Sequence, residues 1–331
     1  MVEFGKLKIS AMNVFGLGQS LTKENNRDSR SLQKCPYCLG ASRPFISSTD
    51  RNRGTTSSVF HYFRCSDCGL VFMDPIPRDL APFYSGGYQP IPKSLAELRK
   101  IAARARHRME PVLKYKKGGR LLEIGPWIGI FSCNAKDAGF DVTAIEMDQN
   151  CVDFLNETLG IRALQSADPV GSLAELDEKF DVIALWHCLE HLRDPWLVIQ
   201  QAANHLAPGG ILIVAIPNIE SYEYSLLKSA WRHLDAPRHL FFFPIESLVN
   251  LCQRCGLSKV EVTTTDELSD ELSLDTWYRL VNSLVPIHRM AVAVARLLRY
   301  AARRREMSSH AGAGITAVFQ LVSGEPLEHA G

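Results

Sequence analysis

The chain has almost no excess of either charge. Its 37 Lys and Arg stand against 36 Asp and Glu, a formal net charge of +1 over 331 residues. Nucleic-acid binders draw most of their affinity from a basic excess, so the balance speaks against that class, although it leaves room for a local basic patch. Long uncharged apolar runs are also missing, and nothing in the sequence is long and apolar enough to span a bilayer. The polar stretch from Met1 to Ser31 lacks the apolar segment of a secretory signal and is expected to be a loosely ordered tail of a cytoplasmic protein. The sequence shows no internal repeat and no low-complexity tract. A disulfide framework is disfavoured because the nine cysteines are odd in number and several sit in apolar segments, which fits reduced thiols.

What is present begins with enough apolar matter for a core, 46% of residues. Residues 32–76 are short, turn-rich and cysteine-paired. Residues 77–118 open with Pro77, Pro82, Tyr84, Tyr88 and Pro90 and then become a basic helical stretch from Ser94 to about Lys117. Residues 119–264 alternate short apolar runs with helical patterns, the signature of βαβ units around a parallel sheet. Strands are predicted at 120–124, 141–145, 161–164, 180–185, 211–216 and 258–263, with a turn over Ala207-Pro-Gly-Gly210. Residues 265–312 read as a helical insertion before a last strand at 314–322, and 323–331 as a second tail.

The first predicted strand ends in Glu123-Ile-Gly125-Pro-Trp-Ile-Gly129 and runs into a helix. Gly125 permits the sharp turn and Gly129 permits close packing, so a ligand there meets backbone N–H groups near a helix N-terminus. The next strand ends in Glu146, an acid suited to a ribose diol. A dinucleotide fingerprint needs a middle glycine to admit the pyrophosphate. Here that position is Trp127, and Ile130 follows, which disfavours a dehydrogenase.

These residues resemble class I S-adenosylmethionine-dependent methyltransferases. Leu121-Leu-Glu-Ile-Gly125…Gly129 and Val142-Thr-Ala-Ile-Glu146-Met-Asp148 resemble the family's first two motifs. Phe180-Asp-Val-Ile-Ala-Leu-Trp-His-Cys-Leu-Glu-His-Leu-Arg-Asp-Pro195 and Leu206-Ala-Pro-Gly-Gly-Ile-Leu-Ile-Val-Ala-Ile-Pro-Asn218 resemble those at the fourth and fifth strands. The resemblance covers about 119–264 and implies an α/β Rossmann-like seven-stranded sheet of order 3-2-1-4-5-7-6, its seventh strand antiparallel. It places Glu123, Gly125 and Gly129 at the cofactor loop and Glu146 on the ribose. It further places Met147 against adenine, Asp168 near the adenine amine, and Trp186 and His187 along the methionine side.

His187, Glu190 and His191 follow the fourth strand. On a helical turn 187 and 191 would share a face, and an imidazole is a suitable base near neutral pH. The resemblance implies that Glu190 and His191 lie beside the methyl acceptor. His191 alternatively caps the turn, and His187 reads either as a wall facing the cofactor or as a base. Further on, Trp231-Arg-His-Leu-Asp-Ala-Pro-Arg-His-Leu-Phe-Phe-Phe-Pro244 resembles a segment of small-molecule methyltransferases. His233, Arg238 and His239 either line an acceptor pocket or fix the loop against the sheet. Tyr84 and Tyr88 either close the pocket or are surface tyrosines.

Cys35-Pro-Tyr-Cys38 and Cys65-Ser-Asp-Cys68 are two knuckles 26 residues apart, a spacing that matches a structural Zn2+ in an N-terminal zinc ribbon. Cys252-Gln-Arg-Cys255 has no partner pair and reads as core. Residues 277–305 mix apolar residues with arginines. Such a basic amphipathic helix packs beside a site, forms a dimer contact, or lies on a membrane surface. The sequence is therefore identified as a member of the zinc-module methyltransferases, which implies a small-molecule acceptor such as a sugar, glycan, lipid-linked compound or secondary metabolite, methylated on O or C, with no nucleic-acid partner and a monomer or homodimer. Two rival readings are an RNA methyltransferase that grips nucleic acid with its ribbon and a non-catalytic zinc-ribbon adaptor.

Overall fold

The structure is a computed structural model that describes residues 33–84, 90–284, 288–309 and 311–322. All of them belong to one compact unit, Leu32–Gly331. The expected tails 1–31 and 323–331 lie outside the described residues, as does Tyr88.

The chain enters an antiparallel sheet through β1 (Ser42–Ser48), β2 (Phe60–Cys65) and β3 (Val71–Met73), followed by the short helix α1 (Ala81–Tyr84). The basic stretch expected as one helix is broken into α2 (Leu95–Ala102), a 3-10 segment (Ala103–Met109) and α3 (Glu110–Tyr115). Ser94 caps α2 by accepting from the Glu97 N–H, satisfying one of the donors a helix start leaves open. Ala105 leaves helical geometry at φ −113°, ψ 25°. Pro111 supplies no N–H and is tolerated only in the first turn of a helix, so α3 must start anew.

The larger sheet is built from β4 (Gly119–Ile124), α4 (Ile130–Asp137), β5 (Phe140–Glu146), α5 (Gln149–Phe154, extended by a π turn, Leu155–Leu159), β6 (Arg162–Gln165), α6 (Pro169–Ala174), β7 (Phe180–Trp186), α7 (Pro195–His205) and β8 (Leu206–Pro217). The predicted turn at Ala207–Gly210 lies inside β8, where a register shift opposite Phe180–Val182 absorbs it. After α8 (Tyr222–Leu227) and β9 (Phe241–Phe242) come α9 (Ile245–Arg254), β10 (Leu257–Thr263), the helical pair α10 (Glu267–Leu284) and α11 (His288–Ser309), and β11 (Gly314–Leu321).

The strand order of the large sheet is β10-β11-β8-β7-β4-β5-β6. Counted from β4, this is the expected 3-2-1-4-5-7-6, with β11 antiparallel to both neighbours. The residues of β7 and the later part of β8 are buried almost without interruption, because helices cover both faces of a parallel sheet and no alternation is required.

The cysteine-rich module does not close on itself. Its four-stranded sheet, β1-β2-β3-β9, takes its last strand from Phe241–Phe242, far along the chain. Tyr62, Leu70 and Phe72 accordingly share one continuous core with Leu185, Phe241 and Leu248. Whatever orders the module therefore also orders the segment around residue 240.

The helical pair packs inward. Leu268 joins the core that contains Trp186, and Trp277 packs with Ala295 and Ala302. Among the described residues no helix is long and apolar enough to cross a membrane.

Candidate active site

Backbone geometry sets the loop after β4. Gly125 and Gly129 have φ of +73° and +78°, a region that side chains disfavour. A Cβ on Gly125 would lie 2.6 Å from the Cys188 sulfur, and one on Gly129 2.4 Å from Leu155. Trp127, at the position where a dinucleotide site needs glycine, also has positive φ, +53°. Glu146, at the end of β5, is buried. Its Oε1 accepts from the N–H of Met147 (2.8 Å) and Asp148 (3.0 Å), and its Oε2 accepts from the N–H of Trp127 at 2.8 Å. Burial pushes this carboxyl up, and the three amides pull it back.

The other residues expected around the cofactor are arranged about this loop. Glu123 lies beneath it, buried and accepting from Ser132 at 2.5 Å; burial raises its carboxyl to about 7. Met147 is half exposed just beyond β5. Asp168 is exposed, and its Oδ1 caps α6 by accepting from Val170 and Gly171. Trp186 packs against Phe131, with ring centroids 5.4 Å apart, and its buried Nε1 has no hydrogen-bond partner.

Beyond β7 the structure departs from the expected helical turn. His187 has φ +52° and stands outside the single 3-10 turn Leu189–His191. The imidazoles of 187 and 191 therefore do not share a helix face. They are organised around Glu190 instead, whose side chain is 1% exposed. His187 Nδ1 lies 3.4 Å from Glu190 Oε1, and His239 Nε2 lies 4.0 Å from the same oxygen. Burial pushes the Glu190 carboxyl up, but the His187 hydrogen bond and the neighbouring imidazoles outweigh it and hold the group at about 2. The rings of His191 and His239 meet edge to face at 4.6 Å. Burial drives His239 down to about 4, so its ring is neutral near pH 7. Tyr84 comes to this cluster, its hydroxyl 3.0 Å from His191 Nδ1.

Two residues expected in an acceptor pocket are placed otherwise. Arg238 is wholly buried. Its guanidinium donates to Asp235 (3.0 and 2.7 Å), Asp50 (2.8 and 3.4 Å) and the Phe83 carbonyl (3.3 Å). These bonds occupy its donors and leave nothing for an acceptor. His233 turns to α10, where its Nε2 meets the Leu272 carbonyl and the Thr276 hydroxyl, each at 3.1 Å. Only His239 of that segment faces Glu190. Three supports had no signature in the sequence. Asp50 holds Arg238, Tyr62 donates to the His239 carbonyl at 2.8 Å, and Asn52 donates to the Arg232 carbonyl at 2.9 Å. Each comes from the cysteine module.

The four cysteine sulfurs of that module converge. Cys35 and Cys68 are 3.7 Å apart, Cys38 and Cys65 3.5 Å, and all four lie within 4.8 Å of one another. By contrast, Cys252 is buried in α9 and makes no such cluster among the described residues.

A family model described as a methyltransferase domain matches residues 95–262, about half of the chain. The chain belongs to the methyltransferase domain family. Its sheet is that of the S-adenosylmethionine-dependent class I enzymes. The chain is 27% identical over 180 residues to a tRNA U34 carboxymethyltransferase of Psychrobacter arcticus, covering 48% of this chain and 51% of that one. It is 33% identical over 110 residues to a ubiquinone biosynthesis O-methyltransferase of a Caulobacter species, covering 31% and 42%. The chain thus spans about half the length of these curated relatives. Among solved structures, a SAM-dependent methyltransferase from Archaeoglobus fulgidus superimposes with a TM-score of 0.47 at 16% identity, over 66% of this chain and 94% of that one.

Proposed function

We propose that the methyltransferase moves the methyl group of S-adenosylmethionine to a hydroxyl or acidic carbon of a small molecule bound against the Glu190 cluster. The observation that carries this reading is that cluster itself: a buried carboxylate ringed by His187, His191 and His239 at the carboxyl end of β7, one strand over from β4 and its loop. Ligands of open α/β sheets bind at such carboxyl ends.

The residues present suit the cofactor. Glu146 Oε2 accepts one N–H and, as a carboxylate oxygen, can accept a ribose hydroxyl as well, and the unpartnered Trp186 Nε1 and His187 Nε2 offer polar contacts to the methionine moiety. When bound, the sulfonium supplies an already activated methyl group, so the protein mainly aligns the acceptor with it. Glu123, Gly125 and Gly129 then form the floor, with Met147 and Asp168 at the adenine end. Glu190 and His191 orient the acceptor and assist the loss of its proton, with Tyr84 closing over His191.

Two variants test these assignments. Glu146→Ala should weaken cofactor binding by about 1–3 kcal/mol in a calorimetric titration; unchanged affinity would remove Glu146 from the site. His191→Ala should slow turnover by about 10²-fold or more while cofactor affinity holds, and a wild-type rate would count against its role.

The cysteine tetrad suits a structural Zn2+. Tetrahedral Zn–S bonds of about 2.3 Å place sulfurs roughly 3.8 Å apart, close to the 3.7 and 3.5 Å seen here. With all ligand positions filled by sulfur, such a metal stiffens residues 32–76 and takes no part in chemistry.

A second reading, in which the acceptor is RNA, is favoured by the similarity to the tRNA U34 carboxymethyltransferase and opposed by the net charge of +1. Labelled-methyl transfer separates the two. Incorporation into bulk tRNA but into no sugar, phenol or lipid-linked acceptor would replace the small-molecule reading.

A further inference from the structure

The Glu190 cluster has features that a base pair alone does not need. One nitrogen each from His191 and His239 and a carboxylate oxygen of Glu190 lie within 4.8 Å of one another. The two rings come from chain segments 48 residues apart (239 − 191) and are held separately. His239 Nδ1 contacts the His233 carbonyl at 2.8 Å, and His191 Nδ1 contacts the Arg238 carbonyl at 3.0 Å. A carbonyl only accepts, so His239 Nδ1 carries hydrogen and its Nε2 is left as a lone-pair nitrogen. His191 Nδ1 also meets the Tyr84 hydroxyl at 3.0 Å, and the tautomer that serves the Arg238 carbonyl leaves a lone pair on Nε2 there too. Backbone carbonyls that fix imidazole tautomers in this way are the usual outer shell of metal-ligating histidines.

Glu190 supplies the second, independent observation. Its side chain is 1% exposed, and its Oε2 is buried with no hydrogen-bond partner. Its ion pairs among the described residues are with His187 and His239, and none is with Lys or Arg. The nearby guanidinium of Arg238 is taken up by Asp50 and Asp235. A buried carboxylate without a fixed cation is costly.

We propose that Glu190, His191 and His239 bind one divalent cation of the Mn2+, Fe2+ or Zn2+ class. Two imidazoles and one carboxylate suit such ions and leave coordination positions open. The site stands on the residues alone; its role rests on the reading of this cleft as the acceptor site. There the cation takes the acceptor oxygen as a ligand and lowers its pKa, as a Lewis acid does. The proton leaves to solvent, the oxygen forms its bond to the sulfonium methyl, and the C–S bond breaks with its electron pair going to sulfur. The products are the methyl ether and S-adenosylhomocysteine. The Cys35–Cys68 tetrad is a separate site, since thiolates select Zn2+ whereas Mn2+ prefers oxygen and nitrogen.

The test is a Mn2+ titration of the intact protein, its tetrad loaded with Zn2+, followed by the electron paramagnetic resonance signal of free Mn2+. Uptake of about one Mn2+ per chain is expected, weakened about tenfold or more in Glu190→Gln and in His239→Ala and restored in His239→Asp. Each variant should still bind S-adenosylmethionine like the wild type, which shows that it is folded. Absence of saturable Mn2+ uptake, or uptake that neither variant changes, overturns the site while leaving the methyltransferase reading intact. Wild-type protein that takes up Mn2+ but no S-adenosylmethionine upholds the site and sinks that reading instead.

Discussion

Replacing Arg238 by methionine is expected to cost about 3–5 kcal/mol of stability, read as a lower midpoint in urea unfolding with little change in slope. The side chain is wholly enclosed, and it neutralises two carboxylates, Asp50 from the cysteine module and Asp235 from its own loop. Methionine fills much of the volume but leaves both acids without a cation. A loss below about 1 kcal/mol, the size of an exposed pair, would show that the ion triad is not a structural clamp. Burial pushes the Asp50 carboxyl up, and Arg238 and Thr55 more than reverse this, holding it at about 2 against an ordinary value near 3.8. A folded-state pKa depressed in this way gives stability that is complete above the unfolded pKa and is lost as pH falls through about 2. The variant lacks the guanidinium, so its acid unfolding should begin at higher pH than that of the wild type.

The clamp also marks the limit of what the sequence made legible. Strand order was implied by the resemblance, whose motifs each occupy one strand–loop unit, and local spacing was enough to place Gly125 and Gly129 in the loop after β4 and Glu146 at the end of β5. The cysteine tetrad was equally readable, because both knuckles are local and their chemistry is specific. The partner of Arg238 was not, since Asp50 lies 188 residues away in a turn with no distinguishing pattern. The same applies to β9. Two phenylalanines in an apolar run say nothing of pairing with Val71 and Phe72. His187 was assigned to a helical turn on spacing alone, whereas its positive φ depends on how the chain leaves β7. As a result, the true neighbour of His191 is His239, which only the three-dimensional return of the lid segment supplies.

On the proposed reading, the same long-range pairing makes the cysteine module a determinant of catalysis. Stripping the tetrad of the proposed Zn2+ with a chelator, or substituting Cys65→Ser, is expected to lower the melting temperature and to reduce turnover severely. Structural Zn2+ contributes on the order of 10 kcal/mol of binding free energy to small modules, enough to decide whether β1–β3 stay paired. If they loosen, β9 loses its partner strand, and the His239 carbonyl loses the Tyr62 hydroxyl. Arg238 loses Asp50 at the same time. All three changes fall on the segment that presents His239 to Glu190. The loop between β4 and α4 and the Glu146 carboxylate belong to the other sheet and make none of these contacts, so cofactor affinity should fall much less than turnover. Re-adding Zn2+ to the chelated protein should recover the rate. A chelated protein that keeps its full rate and its melting temperature would sever the module from the active site and leave the tetrad without a structural role.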